Sequence, residues 1–377
     1  MRVLHVIRAL GEGGPEHQLR LLVRRLPHEC EVVTLTPPGA VADALRARGT
    51  TVHELAGRDG SDLASVVPLR RLIRHGRFDL VHAHAHRACV PGRLAACLAG
   101  VPRVVATEHR LGPETGRLYR AGERLGRVTI AASPGIARRL RDWGVPDPRI
   151  AVIPKAVALD EFRYDPRLRA AVRAGLRIGP RTPVVGAVGR LEPGERFDRL
   201  IRALAEVPEA VLLLVGGGPA RTALKRLAEI EGVAGRVRFT GPVGHARAML
   251  CAMDVFASPC EETFGLVVLE AIAAGLPAVY ARCEPLEELA AARATVEGSQ
   301  RITPYDRESL PRALRAELLC LAERDGGRLP ARTAGRLYDA DHTAAEVDRV
   351  YARCLAGAEL STARRTAGKL SRRWNAR

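Results

Sequence analysis

The sequence has 377 residues, 47% of them hydrophobic and 27% charged, which suits two α/β domains with buried cores and excludes a mainly disordered chain. A formal net charge of +17 implies an anionic partner, but aromatics make up only 4% and are not interleaved with arginine, so the stacking platform of a nucleic-acid binder is missing and nucleic acid is set aside. Eight cysteines without a C-x-x-C pair exclude a disulfide scaffold or a cysteine zinc site, and with no leader-like or membrane-length apolar stretch the chain is expected in the cytoplasm.

β-branched runs alternate with amphipathic stretches from the first residue, the pattern of βαβ units on a parallel sheet. Strands are predicted at Val3–Ile7, Val32–Leu35, Leu80–His82, Val104–Thr107, Thr129–Ala132 and Ile150–Ile153, with helices such as Glu16–Leu26 and Leu63–Arg74 between them. These make a first Rossmann-like domain over residues 1–157. After a polar connector holding Asp160 to Asp165 the alternation restarts at Val184–Val188, Val211–Val215, Val237–Thr240, Val255–Ala257 and Ala278–Tyr280, which makes a second over 158–340. A helical pattern around Ala344 to Leu355 predicts a C-terminal helix within 341–360, expected to pack back toward the first domain. Residues 361–377 form a basic tail with Arg364, Arg365, Lys369, Arg372, Arg373, Arg377 and no acid. Such a tail can tether a protein to an anionic leaflet at about 1 kcal/mol per cation; its bland reading is a solvated end without a role. Ligands of open parallel sheets lie beyond the carboxyl ends of the strands, so chemistry is expected there, in a cleft between two facing domains.

The segment Glu262-Thr263-Phe264-Gly265-Leu266 leads from a strand into an apolar helix that carries Glu270. Free N–H groups near Phe264 to Leu266 would suit an anion. Eight helical steps would set the two carboxylates roughly 12 Å apart, about the reach from a donor sugar to the ribose across a diphosphate. The bland reading makes Glu262 a helix-start residue favoured by the dipole and Glu270 a helical residue without a role. His82, His84 and His86 alternate onto one strand face, where a metal is conceivable, but no carboxylate stands at ligand spacing; structural or substrate-lining roles are favoured.

The pattern E-x-F-G-L-x-x-x-E, followed by Ala274-Gly275-Leu276-Pro277, resembles the signature of GT-B glycosyltransferases of the retaining family 4. The resemblance runs along nearly the whole chain. Gly13-Gly14-Pro15-Glu16 looks like the family's GGxE loop, Asp79 to His84 its fourth strand, and Thr107-Glu108-His109 its T-x-H; Ser133 to Leu140 and Ile153-Pro154 with Asp160 and Phe162 continue the match. Gly189-Arg190-Leu191 and Gly216-Gly217-Gly218-Pro219 stand where the family holds the diphosphate and borders the base.

The resemblance implies a GT-B fold and metal-independent transfer with retention from a UDP-, GDP- or dTDP-linked sugar, with no cofactor. The acceptor would be a sugar, a lipid-linked group or a small molecule, in envelope polysaccharide or secondary-metabolite biosynthesis. It assigns Gly13, Gly14 and His109 to the reacting centre, Glu16 and His84 to the acceptor side, and Glu262 to donor-sugar hydroxyls. Glu270 would take the ribose, and Arg190, Arg196, Gly217, Gly218, Thr263, Phe264, Gly265 and Leu266 the donor; His109, Glu262 and Arg190 would be the catalytic set, with Arg190 and Arg196 stabilising the departing diphosphate. The oligomeric state is left open, as is peripheral contact with an anionic membrane.

Two departures stand out. Glu195 occupies the place of the family's diphosphate-gripping lysine, and Lys155-Ala156 replaces Asn-Gly. At about 4 Å and an effective dielectric of about 20, a carboxylate facing a phosphate costs about 4 kcal/mol. The expectation is therefore that Arg190 and Arg196, with Lys155, supply the positive field while Glu195 points to solvent. The alternative is a catalytically weak or inactive GT-B protein that binds a sugar nucleotide or serves as a partner subunit.

Overall fold

The computed structural model describes the chain except residues 12, 56–61, 110, 112–116, 263–264, 284–285, 288–297, 325–326, 330–337 and 357–377, and the side chains of 62, 117–118 and 261–262. The basic tail, Thr263 and Phe264 thus lie outside the described residues.

The chain divides into two compact units. One holds Met1–Ala156 and the helix over 340–356, the other Val157–Asp339. The first unit carries β1 (Arg2–Ile7), β2 (Glu29–Thr34), β3 (Val52–Glu54), β4 (Leu80–His84), β5 (Val104–Glu108), β6 (Val128–Ala131) and β7 (Ile150–Val152). Its seven strands run in the order β3-β2-β1-β4-β5-β6-β7, all parallel, so the strand order reverses between β1 and β4.

The second unit carries β8 (Val184–Val188), β9 (Val211–Val215), β10 (Val237–Gly241), β11 (Val255–Glu262), β12 (Ala278–Cys283) and β13 (Ser299–Arg301) in the parallel order β10-β9-β8-β11-β12-β13. Each sheet is covered on both faces, which is why its strands read as continuous apolar runs. Parallel sheets with interleaved helices make both units α/β and Rossmann-like.

Local chemistry starts and stops the helices. Ser133 accepts from Ile136 N (3.3 Å) and Asp165 from Arg167 N (2.8 Å), each followed by proline at the first helical position. In the second unit the buried Asp254 carboxylate accepts from Arg169 (2.7 Å), Arg173 (2.6 Å) and Val184 N (2.8 Å), pinning the helix Pro166–Gly175 to the start of β8. An apolar replacement of Asp254 alone would leave two guanidinium charges on backbone carbonyls without this carboxylate.

Alternation along the strands sorts the first unit's residues onto two faces. Val3, Leu80, Val105 and Ile130 meet Val347, Val350, Tyr351 and Cys354 of helix 340–356 in one cluster, while Leu4, Val6, Val81, Ala83 and Ala106 build the core of the other face. His5, His82, His84 and Thr107 follow the first set by parity. His86 does not continue that face: β4 ends at His84, and His86 opens the helix His86–Ala99. The third histidine of the group comes instead from β1, whose His5 is in register with His82.

Candidate functional site

In the first unit, Gln18, His84, Thr107, His109 and Lys155 bring polar groups to a cavity of about 40 Å³ walled by side chains such as Leu21, Ile153 and Val347. The space has room for a few waters. It lies past the carboxyl ends of β4 and β5, where His84 and Thr107 sit and His109 follows. Gln18 closes one side by clamping Ala156 with both amide atoms, Nε2 donating to its carbonyl (2.7 Å) and Oε1 accepting from its N–H (2.6 Å).

His109 is 7% exposed, and among the described residues neither ring nitrogen finds a hydrogen-bond partner. Burial, with the charge of Lys155 second, pushes its pKa down to about 3. His84 is likewise pushed to about 3, by burial and then by His109. Both imidazoles are neutral at pH 7, able to accept or donate one hydrogen bond but not to act as standing cations.

Beneath the cavity the buried histidines are tied together. His82 reaches Tyr351 Oη with Nδ1 (2.6 Å) and Thr107 Oγ1 with Nε2 (2.7 Å), while His5 Nδ1 lies 3.0 Å from His84 Nε2. Ligand atoms of His5, His82 and His84 fall within 4.8 Å of one another, a spacing a transition metal can use. A metal there would displace the His5–His84 contact and at least one bond of His82, so the contacts present describe a hydrogen-bonded network. On the opposite face Glu108 is fully buried near Arg93, Tyr119 and Cys89; burial raises its pKa to about 7, and neither carboxylate oxygen has a geometric hydrogen-bond partner among the described residues.

Gly13 and Gly14 start the helix Gly14–Val23. Gly13 has an ordinary φ of −82°, but a Cβ there would lie 2.2 Å from Glu16 Oε2. The glycine thus makes room for Glu16, whose carboxylate folds back over the helix start, with Oε2 buried and its pKa raised by burial.

In the second unit, Gly216 and Gly218 adopt φ of 138° and 154°, and added Cβ atoms would come within 1.9 Å of Gly189 O and 2.5 Å of Leu191 O. Gly217 O accepts from Leu191 N at 2.8 Å. Gly216 and Gly218 are therefore glycine because the loop after β8 crosses them backbone to backbone, while a Cβ on Gly217 would meet Pro242. Arg190 is 76% exposed and pairs with Glu192 at 3.1 Å; Arg196, at φ 56°, pairs with Asp198 at 3.4 Å. Lys155 belongs to the first unit and is buried against its cavity.

Two expectations require correction. Glu195 does not point to solvent. It closes a 3₁₀ turn, Pro193–Glu195, and is half-buried, with Oε2 accepting from Cys260 Sγ at 3.3 Å beside Gly189. The register shift in β11 between Ser258 and Glu261 occurs where Cys260 meets it. Nor do Glu262 and Glu270 share a helix: β11 continues to Glu262, in register with Cys283, and the helix starts only at Leu266 after Gly265 at φ 61°. A spacing of eight helical rises therefore does not apply. Glu270 is half-buried on that helix, and Leu266 is buried.

Sequence reasoning missed His5, Gln18 and Tyr351. Strand alternation signals His5, two residues past Val3; nothing local signals the other two, which depend on tertiary placement.

Comparison with known proteins agrees with the fold. Residues 13–161 match the family described as Glycosyltransferase Family 4 and residues 182–318 the one described as Glycosyl transferases group 1. A GDP-mannose-dependent alpha-(1-6)-phosphatidylinositol monomannoside mannosyltransferase of Mycobacterium tuberculosis is 33% identical over 69% of this chain and 71% of its own length. A D-inositol 3-phosphate glycosyltransferase of Rhodococcus jostii is 34% identical over 65% of this chain and 62% of its own. Among solved structures, Anabaena HepE in complex with UDP superposes with a TM-score of 0.78 at 22% identity, over 94% of this chain and all (100%) of that one. Among the described residues no helix is long and apolar enough to cross a membrane. The chain belongs to glycosyltransferase family 4, with the GT-B fold.

Proposed function

We propose that the chain transfers a sugar, with retention and without a metal, from a nucleotide-sugar donor to a sugar, lipid-linked or small-molecule acceptor in envelope or secondary-metabolite biosynthesis. The observation that carries this reading is His109: a neutral, buried imidazole with both nitrogens open, facing a small cavity at strand ends. Such a group positions a hydroxyl or handles its proton, and its low basicity makes it a poor nucleophile. On the donor side the Glu262–Leu266 segment and Glu270 serve the sugar and ribose, and Gly217 and Gly218 let backbone approach the phosphates. Arg190 and Arg196 are exposed enough to leave their carboxylates for a diphosphate, whose leaving charge is what must be stabilised. His84, Gln18 and Glu16 line the acceptor side. The relatives' names put GDP-mannose and inositol-containing acceptors first in any assay.

The test is a transfer assay with UDP-, GDP- and dTDP-sugars in the presence of EDTA, with the anomeric configuration of the product read by NMR. Product of inverted configuration, or transfer abolished by the chelator, overturns the mechanism.

A second reading, a donor-binding protein with weak or no turnover, rests on Glu195 held inward by Cys260. Glu195→Lys separates the two: a competent enzyme keeps or loses turnover, whereas a degenerate one gains donor affinity or activity.

A further inference from the structure

At the other end of the first unit's sheet from His109, four arginines converge on one surface groove. Arg124 and Arg127 precede β6, Arg149 precedes β7, and Arg353 comes from helix 340–356; together they line a concavity of about 470 Å³. That is the size of a small-ligand site. Among the described residues no carboxylate lines it.

Its guanidinium groups are not all loose. Arg149 Nη2 donates to Glu123 O (2.6 Å), Glu123 Oε2 (3.0 Å) and Gly126 O (2.9 Å), and Arg353 Nη2 to Pro148 O (3.2 Å). These bonds fix two forks in place. Glu123, itself buried, neutralises Arg149 from below. Arg124 and Arg127 are exposed and, among the described residues, have no hydrogen bond or ion pair at their side chains. In a chain this basic, arginines on the surface are ordinary. A concave set of four, two held by acceptors and two unpaired, with no acid in the lining, is a more specific arrangement.

We propose that this groove binds a phosphate-bearing anion, Arg124 and Arg127 gripping phosphoryl oxygens in fork geometry against the fixed Arg149 and Arg353. Its distance along the sheet from the cavity at His109 separates it from the sugar-transfer residues, and it does not depend on the transferase reading. A soluble phosphorylated metabolite and the headgroup of an anionic lipid offer the same chemistry.

The experiment compares three full-length proteins: wild type, Arg124→Glu/Arg127→Glu, and the charge-matched Arg71→Glu/Arg74→Glu on the exposed side of another helix of the same unit. Inorganic pyrophosphate is titrated by calorimetry, and co-sedimentation is measured with phosphatidylcholine vesicles with and without phosphatidylglycerol. Binding elsewhere on the chain is common to all three. The groove variant is expected to lose on the order of tenfold in affinity while the matched variant changes by less than about twofold, the part due to net charge alone. Loss of pyrophosphate binding assigns a soluble ligand, and loss confined to the phosphatidylglycerol vesicles assigns a lipid headgroup. Equal loss in both variants, or none in either probe, overturns the proposal. Melting temperature of the variants verifies that each is folded.

Discussion

Tyr351 Oη and His82 Nδ1 stand 2.6 Å apart, so a hydroxyl from helix 340–356 orients an imidazole whose other nitrogen holds Thr107 at the cavity wall. Helix 340–356 lies outside both segments that match the family. Tyr351→Phe leaves a fully buried nitrogen without its partner and is expected to destabilise the chain by about 1–2 kcal/mol. Urea denaturation checks this; an unchanged midpoint would mean that the contact carries no net energy.

His109 predicts a split between stability and activity. Because neither ring nitrogen has a partner among the described residues, His109→Ala is expected to change folding stability by no more than about 1 kcal/mol. The same substitution should lower kcat by up to about 10²-fold, the loss expected when a positioning group is removed. Thermal melts and single-turnover transfer measured on one preparation read both.

Stability should depend on pH with two opposite arms. His84 and His109 titrate at about 3 against an ordinary 6.5, so the unfolded chain binds more protons in that interval. Their contribution is complete above about 6.5 and is lost as pH falls toward 3. Glu108 titrates at about 7 against an ordinary 4.5; its contribution is complete below 4.5 and is lost as pH rises through 7. Glu108→Gln should therefore flatten the neutral arm and leave the acid arm intact, as read from unfolding free energy between pH 4 and 8.

The glycines after β9 should be strict where the backbones cross. Gly216→Ala places a Cβ 1.9 Å from Gly189 O at φ 138° and is expected to cost about 3 kcal/mol or more. Gly244→Ala, where an added Cβ meets nothing within 4 Å, should stay within about 0.5 kcal/mol. Chemical denaturation of the pair separates steric demand from a general intolerance of substitution.

Much of this architecture was readable from residue order. Apolar runs such as Val184–Val188 and Val211–Val215 have the length and branching of buried parallel strands, and the glycine-bearing turns that follow them mark strand ends. The orientation of Glu195 was not readable. It depends on a 3₁₀ turn, on a left-handed Arg196 and on a bulged β11 that brings Cys260 within 3.3 Å, and none of these has a local periodicity. For His5 alternation gives the sheet face, but its meeting with His84 comes only through the register of β1 on β4. Side chains that meet across the chain are fixed by register and by tertiary packing, which a reading of local pattern does not reach.

The central claim is that arginines after β8 and the neighbouring glycine loops hold the diphosphate of a sugar nucleotide. Calorimetric titration of the intact chain in EDTA with UDP-, GDP- and dTDP-linked sugars tests it most directly. The account predicts saturable binding of at least one nucleotide class, weakened by Arg196→Ala. Absence of heat with every donor and every nucleoside diphosphate would contradict it.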